Sequence, residues 1–108
     1  MGLINSSIRV AMLASQKLDL EYKIMLITQS EMNLSQSVSD LMQVGTDYSD
    51  PDSPVVKQLK QREQRLQQLE KQLQMQQKQY QARLEMVTQE LESAIKMRDQ
   101  AIKAVFSY

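Results

Sequence analysis

The sequence predicts an all-α fold: a long two-helix antiparallel hairpin with coiled-coil character, forming a single domain over residues 1–108. Three observations predict it. The 108 residues include only two Gly and two Pro, and they are dominated by Leu, Met, Gln, Glu, Lys and Ala, all good helix formers. Turn chemistry is concentrated in one place, VGTDYSDPDSP at residues 44–54. On both sides of that cluster, apolar residues recur at steps of three and four, the spacing of one helix face.

The first helix is expected over about residues 3–44. Within it, LDLEYKIMLI (Leu18 to Ile27) alternates like a strand and then turns continuously apolar. A strand would need partners, and nothing else in the chain reads as one. No turn residue separates the segment from RVAMLASQK upstream or TQSEMNLSQSVSDLM downstream, so helix is the simpler reading. On a helix its apolar residues make two stripes. Leu20, Ile24, Ile27, Leu34, Val38 and Leu41 form one; Ile4, Ile8, Ala11, Leu18, Tyr22, Met25 and Met32 form the other. A helix that is apolar on two sides requires cover on two sides. Met12, Met25 and Met32 suit a surface that adapts to a neighbour.

The turn is expected at 45–53. Gly45 suits the left-handed residue that closes a helix. Ser53 followed by Pro54 suits an N-cap with Pro at the first helical position, and Asp50–Pro51 repeats that arrangement upstream. Asp50 and Asp52 would then lie near the positive end of the second helix dipole. The second helix is expected over about 54–106. Its apolar seam reads Leu59, Leu66, Leu69 and Leu73, with Arg62 and Gln76 at two seam positions. It continues through Tyr80, Leu84, Val87, Leu91, Ile95, Ile102 and Val105, where an eleven-residue recurrence predicts a change of supercoil pitch near Tyr80. KQREQRLQQLEKQLQMQQKQYQ (60–81) is nearly half Gln, but Leu recurs in phase and Glu alternates with Lys and Arg, as on a solvated helix face.

Net charge is zero, which removes the main electrostatic reason to expect nucleic acid or an anionic membrane as a partner. The balance is uneven: residues 1–54 hold three basic and seven acidic side chains, residues 55–108 ten and six. The halves, near −4 and +4, should attract each other within or between chains. The chain contains no Cys and no His, so disulfides, the commonest general base and the usual zinc ligands are all missing. The longest apolar run is about five residues, Val10 to Ala14, too short for a membrane span or a standard secretory signal.

No residues stand out as catalytic, cofactor-binding or metal-binding, and no enzymatic activity is expected. Asp19/Glu21 and Asp50/Asp52 have no nucleophile or metal pattern beside them and read as solvated faces and caps. KQLKQREQR (57–65) is basic but interleaved with Gln rather than aromatics, again a solvated face. MGLINS fits the loose N-myristoylation pattern, but Gly2 reads more simply as a frayed end and Asn5–Ser6 as an N-cap.

Pro51-Asp-Ser-Pro54 and the apolar close AIKMRDQAIKAVFSY resemble the axial subunits of type III secretion needles. The resemblance covers the turn and the last fifteen residues; this chain is longer and adds the Gln-rich heptads. It implies an exported helical hairpin that stacks into a hollow filament, with Pro51, Pro54, Ile102, Val105 and Phe106 as packing positions.

Helix 2 offers one narrow seam, and a two-helix hairpin has little core, so the uncovered stripe of helix 1 is expected to meet other copies of the chain. Ile8, Leu18, Tyr22, Met25, Met32, Ile102, Val105 and Phe106 are the expected assembly surface, with Gly45, Pro51, Ser53 and Pro54 making the turn. The expected function is that of a structural subunit of a filament or appendage, with the chain itself as main partner and a secretion apparatus or chaperone as a further one. Such a subunit would lie outside the cell or on its surface by a route without a cleaved signal. The competing expectation is a cytoplasmic coiled-coil adaptor or chaperone that binds a different protein through helix 1.

Overall fold

A computed structural model describes residues 2–46 and 53–106, and the Asp50, Pro51 and Asp52 expectations lie outside that range. The chain is all-α: α1 spans Gly2–Thr46 and α2 spans Pro54–Phe106. Among the described residues only Ser53 is outside a helix. By its internal contacts the chain divides into two compact units, Met1–Ile24 with Gln79–Tyr108 and Met25–Lys78.

Local chemistry supports unbroken helices. Ser30, Ser37 and Thr88 each donate a hydroxyl to the carbonyl four residues back, at 2.9, 3.0 and 2.7 Å, so these polar side chains are satisfied without breaking the backbone ladder. Lys23 and Asp19 form an exposed i,i+4 ion pair at 3.0 Å, of a kind worth about 0.3–0.5 kcal/mol. At the start of α2 the Val55 amide donates to Ser53 Oγ (3.3 Å) and the Lys57 amide to Ser53 O (3.1 Å), while Pro54 takes the first helical position. Ser53 is therefore the N-cap, with its hydroxyl on an otherwise orphaned amide. Ser53→Ala is expected to cost about 1 kcal/mol, measured as a lowered urea midpoint at unchanged slope.

Two helix ends differ from expectation. Gly45 lies inside α1, which runs on to Thr46, so the helical backbone continues through the residue expected to close it. Helix ends fray, and a glycine near one tolerates either conformation. At the other end α1 begins at Gly2, so Asn5 and Ser6 are helical residues rather than a cap.

In the first unit Leu13, Leu20 and Ala94 are buried, with Leu3, Val10, Ile24, Tyr80, Leu84, Val87 and Leu91 half-buried around them. A Cβ on Gly2 would lie 3.9 Å from that of Ala101, which sets the start of α1 against the end of α2. Lys23 Nζ and the Arg83 guanidinium lie 5.8 and 5.9 Å from the centre of the Tyr80 ring, within cation–π range. In the second unit Ile27 is buried among half-buried Leu34, Val38, Leu41, Val56, Leu59, Leu66 and Leu73. There Gln77 Nε2 donates to Thr28 Oγ1 (3.3 Å), a link between the two helices.

The α2 seam departs from the expected one. Covered positions at 56, 59, 63, 66, 70, 73, 77, 80, 84, 87, 91, 94, 98 and 101 form an unbroken alternation of three and four, with Thr88 and the expected Ile95 half-buried beside it. The heptad phase does not shift at Tyr80. Glu63, Glu70 and Gln77 occupy seam positions in place of Arg62, Leu69 and Gln76, and Ala94, Arg98 and Ala101 are covered where Ile102 and Val105 were expected. The covered stripe of α1 explains this: its positions 3, 6, 10, 13, 17, 20, 24, 27, 31, 34, 38 and 41 keep the same alternation. Two helices that share a seam must share its pitch, so α2 keeps the heptad even where larger side chains sit one position away.

Polar residues therefore enter the seams. Glu31 Oε1 and Arg98 Nε are buried atoms without a hydrogen-bond partner. An unpaired polar atom in a seam costs about 1–3 kcal/mol. Glu31→Leu is expected to raise the thermal midpoint by roughly 4–8 °C per kcal/mol recovered, read by circular dichroism; an unchanged or lower midpoint would contradict the seam assignment.

Candidate functional site

The candidate site is the stripe of α1 that α2 leaves uncovered. Ile4, Ile8, Leu18, Tyr22, Met25 and Met32 are 54–69% exposed, and Ala11 is exposed between them. Their spacing decides how to read the patch. The steps from Ile4 through Ile8, Ala11, Ser15, Leu18, Tyr22, Met25 and Gln29 to Met32 are 4, 3, 4, 3, 4, 3, 4 and 3. This is a second heptad seam, its positions lying in turn one and two residues beyond those of the first, or about 150° round the helix. Scattered exposed apolar residues are ordinary on a protein surface, whereas a contiguous stripe marks a contact.

The geometry also answers the puzzle of LDLEYKI. Leu20 and Ile24 belong to the covered seam, Leu18 and Tyr22 to the uncovered one. Where members of the two interleaved heptads fall two residues apart, as at Leu18, Leu20, Tyr22 and Ile24, they produce a local period of two, which imitates a strand.

The C-terminal residues expected in an assembly surface are also exposed: Ile102 at 36%, Val105 at 52% and Phe106 at 79%. They lie at the end of α2, as a patch distinct from the α1 stripe in sequence. Counting faces from the sequence put Leu69 in the covered seam, whereas it is exposed, and missed the exposed Val55, Met75, Met86 and Met97 of α2. Met75, Met86 and Met97 recur every eleven residues and so share one helix face, but Gln79, Glu90 and Ser93 lie between them, which hides that face from a count of apolar steps.

Open apolar grooves run beside the covered seam within each unit. One is lined by Leu20, Met86 and Val87 with Asp19, Arg83 and Glu90 at its rim, another by Leu34, Leu69 and Leu73 with Ser30 and Ser37. Such troughs follow from two round helices lying side by side. Among the described residues no three acidic side chains come together as metal ligands would. No helix among them is long and apolar enough to cross a membrane.

Compared with known proteins, the chain matches no protein family, no curated protein and no solved structure.

Proposed function

We propose that the chain is a non-enzymatic structural subunit that assembles with copies of itself by helix packing, in a filament or appendage. The observation that carries this reading is the second heptad seam of α1, more than half exposed at each of its large side chains. A stripe with coiled-coil spacing is suited to another helix, whereas a bound small molecule calls for a concave pocket. The absence of His and Cys from the sequence leaves little to support acid–base or thiol chemistry. The exposed end of α2 offers a second contact, and an assembly that extends needs more than one. The likeness of the turn and tail to type III needle subunits points the same way, toward export without a cleaved signal and association with a secretion apparatus.

One observation favours a second reading. Methionines are frequent on the uncovered surface (Met12, Met25, Met32, Met42, Met75, Met86 and Met97), and adaptable Met-rich surfaces suit an adaptor or chaperone that binds several partners. Electron microscopy of the purified chain, together with size-exclusion chromatography, separates the two. Fibres or large regular particles support the subunit; a monomer or small oligomer that captures a different helix supports the adaptor.

A further inference from the structure

The sizes of the side chains along the uncovered seam carry the assembly reading further, to the geometry of one contact. We infer that this seam of α1 packs antiparallel on the same seam of a second copy, about a twofold axis between Gln16 and Lys17. This rests on the proposed self-association and names its interface. In that register Tyr22 faces Ala11, Leu18 faces Ser15 and Met25 faces Ile8, each layer occurring twice. In each of these three layers a bulky side chain thus meets a smaller or more slender one, as layers of a well-filled core require. A parallel arrangement would set Tyr22 on Tyr22 and Ala11 on Ala11, one layer overfilled and the next hollow.

Three further observations favour this occupant. The six large apolar side chains of the stripe are each more than half exposed, a contiguous apolar surface of the kind that marks a contact. Asp19 and Glu21 flank the stripe and in this register fall opposite Ala14 and Met12 respectively, so no carboxylate directly faces another. On α2, the exposed Met75, Met86 and Met97 share a face but are separated along it by Gln79, Glu90 and Ser93, so α2 offers the stripe a sparser and more polar line than a second copy of α1 does. The contact is isologous and closes on itself, so growth beyond a dimer would fall to other surfaces such as Val105 and Phe106.

The chain has no cysteine, so introduced thiols report the contact cleanly. The test uses Ala11→Cys and Tyr22→Cys in separate chains, with circular dichroism confirming that both stay helical. Mixed and oxidised, the two should form a covalent dimer, whereas each alone should not. Identical positions on the two copies then lie about 16 Å apart along the axis, beyond disulfide reach. Ile8→Cys with Met25→Cys gives an independent pair, should Tyr22→Cys perturb folding. Cross-linking of a single variant with itself would overturn the antiparallel register, as would failure of both mixtures to cross-link. In those cases sedimentation of the unaltered chain separates the two ideas: a species above monomer mass keeps self-association, and a monomer removes both.

Discussion

Met25→Glu is expected to abolish self-association while leaving the chain helical. Met25 is 56% exposed on α1 and contributes nothing to the covered seam, so the hairpin has little to lose from a charge there. Burying its side chain against a second copy is worth roughly 1.5–3 kcal/mol. A carboxylate in the same place would be desolvated without a partner, adding a cost of several kcal/mol. A twofold contact repeats the change, so the dissociation constant should rise by about a thousandfold or more. The check is sedimentation velocity beside far-ultraviolet circular dichroism: mass should fall to monomer and the helical signal should persist. Leu18→Glu, 67% exposed on the same stripe, should behave alike.

Leu20→Glu, two residues further along, is expected to do the opposite and unfold the first unit. Leu20 is 8% exposed and lies in the covered seam near Val87 and Met86. An unpaired carboxylate there, together with the lost leucine, should cost about 4 kcal/mol or more, much of the stability of a small domain. Leu84→Glu, half-buried in the same unit, should follow it in direction with a smaller effect. Circular dichroism at 25 °C should show lost helical signal for Leu20→Glu and a native signal for Leu18→Glu. Equal loss for both would mean that the two faces of α1 are wrongly assigned.

Much of the fold was legible because the helix-breaking residues are so few. With Gly and Pro confined to Gly2, Gly45, Pro51 and Pro54, nothing could interrupt two long helices, and Ser53–Pro54 marked where the second begins. The two stripes of α1 were legible for a related reason: each repeats a heptad, and only their overlap in LDLEYKI imitates a strand. The end of α2 was harder. Ile95 and Ile102 lie one residue beyond Ala94 and Ala101, and hydrophobicity alone puts the isoleucines in the seam. The structure buries Ala94 most fully, at 1% exposed, with Ile95 half-buried beside it and Ile102 exposed, because the phase follows the heptad shared with α1 rather than the largest nearby side chain. Arg98 enters the seam for the same reason and is half-buried there. The extent of the α1 helix at both ends also escaped sequence reasoning, since the residues at its termini suit a cap and a helical turn equally.

Sedimentation equilibrium of the unaltered chain over a wide concentration range tests the central claim most directly, that the uncovered seam of α1 is a contact between copies. The expected mass rises above that of the 12.5 kDa monomer with concentration, under conditions where Met25→Glu stays monomeric. A helical monomer at every concentration would contradict it.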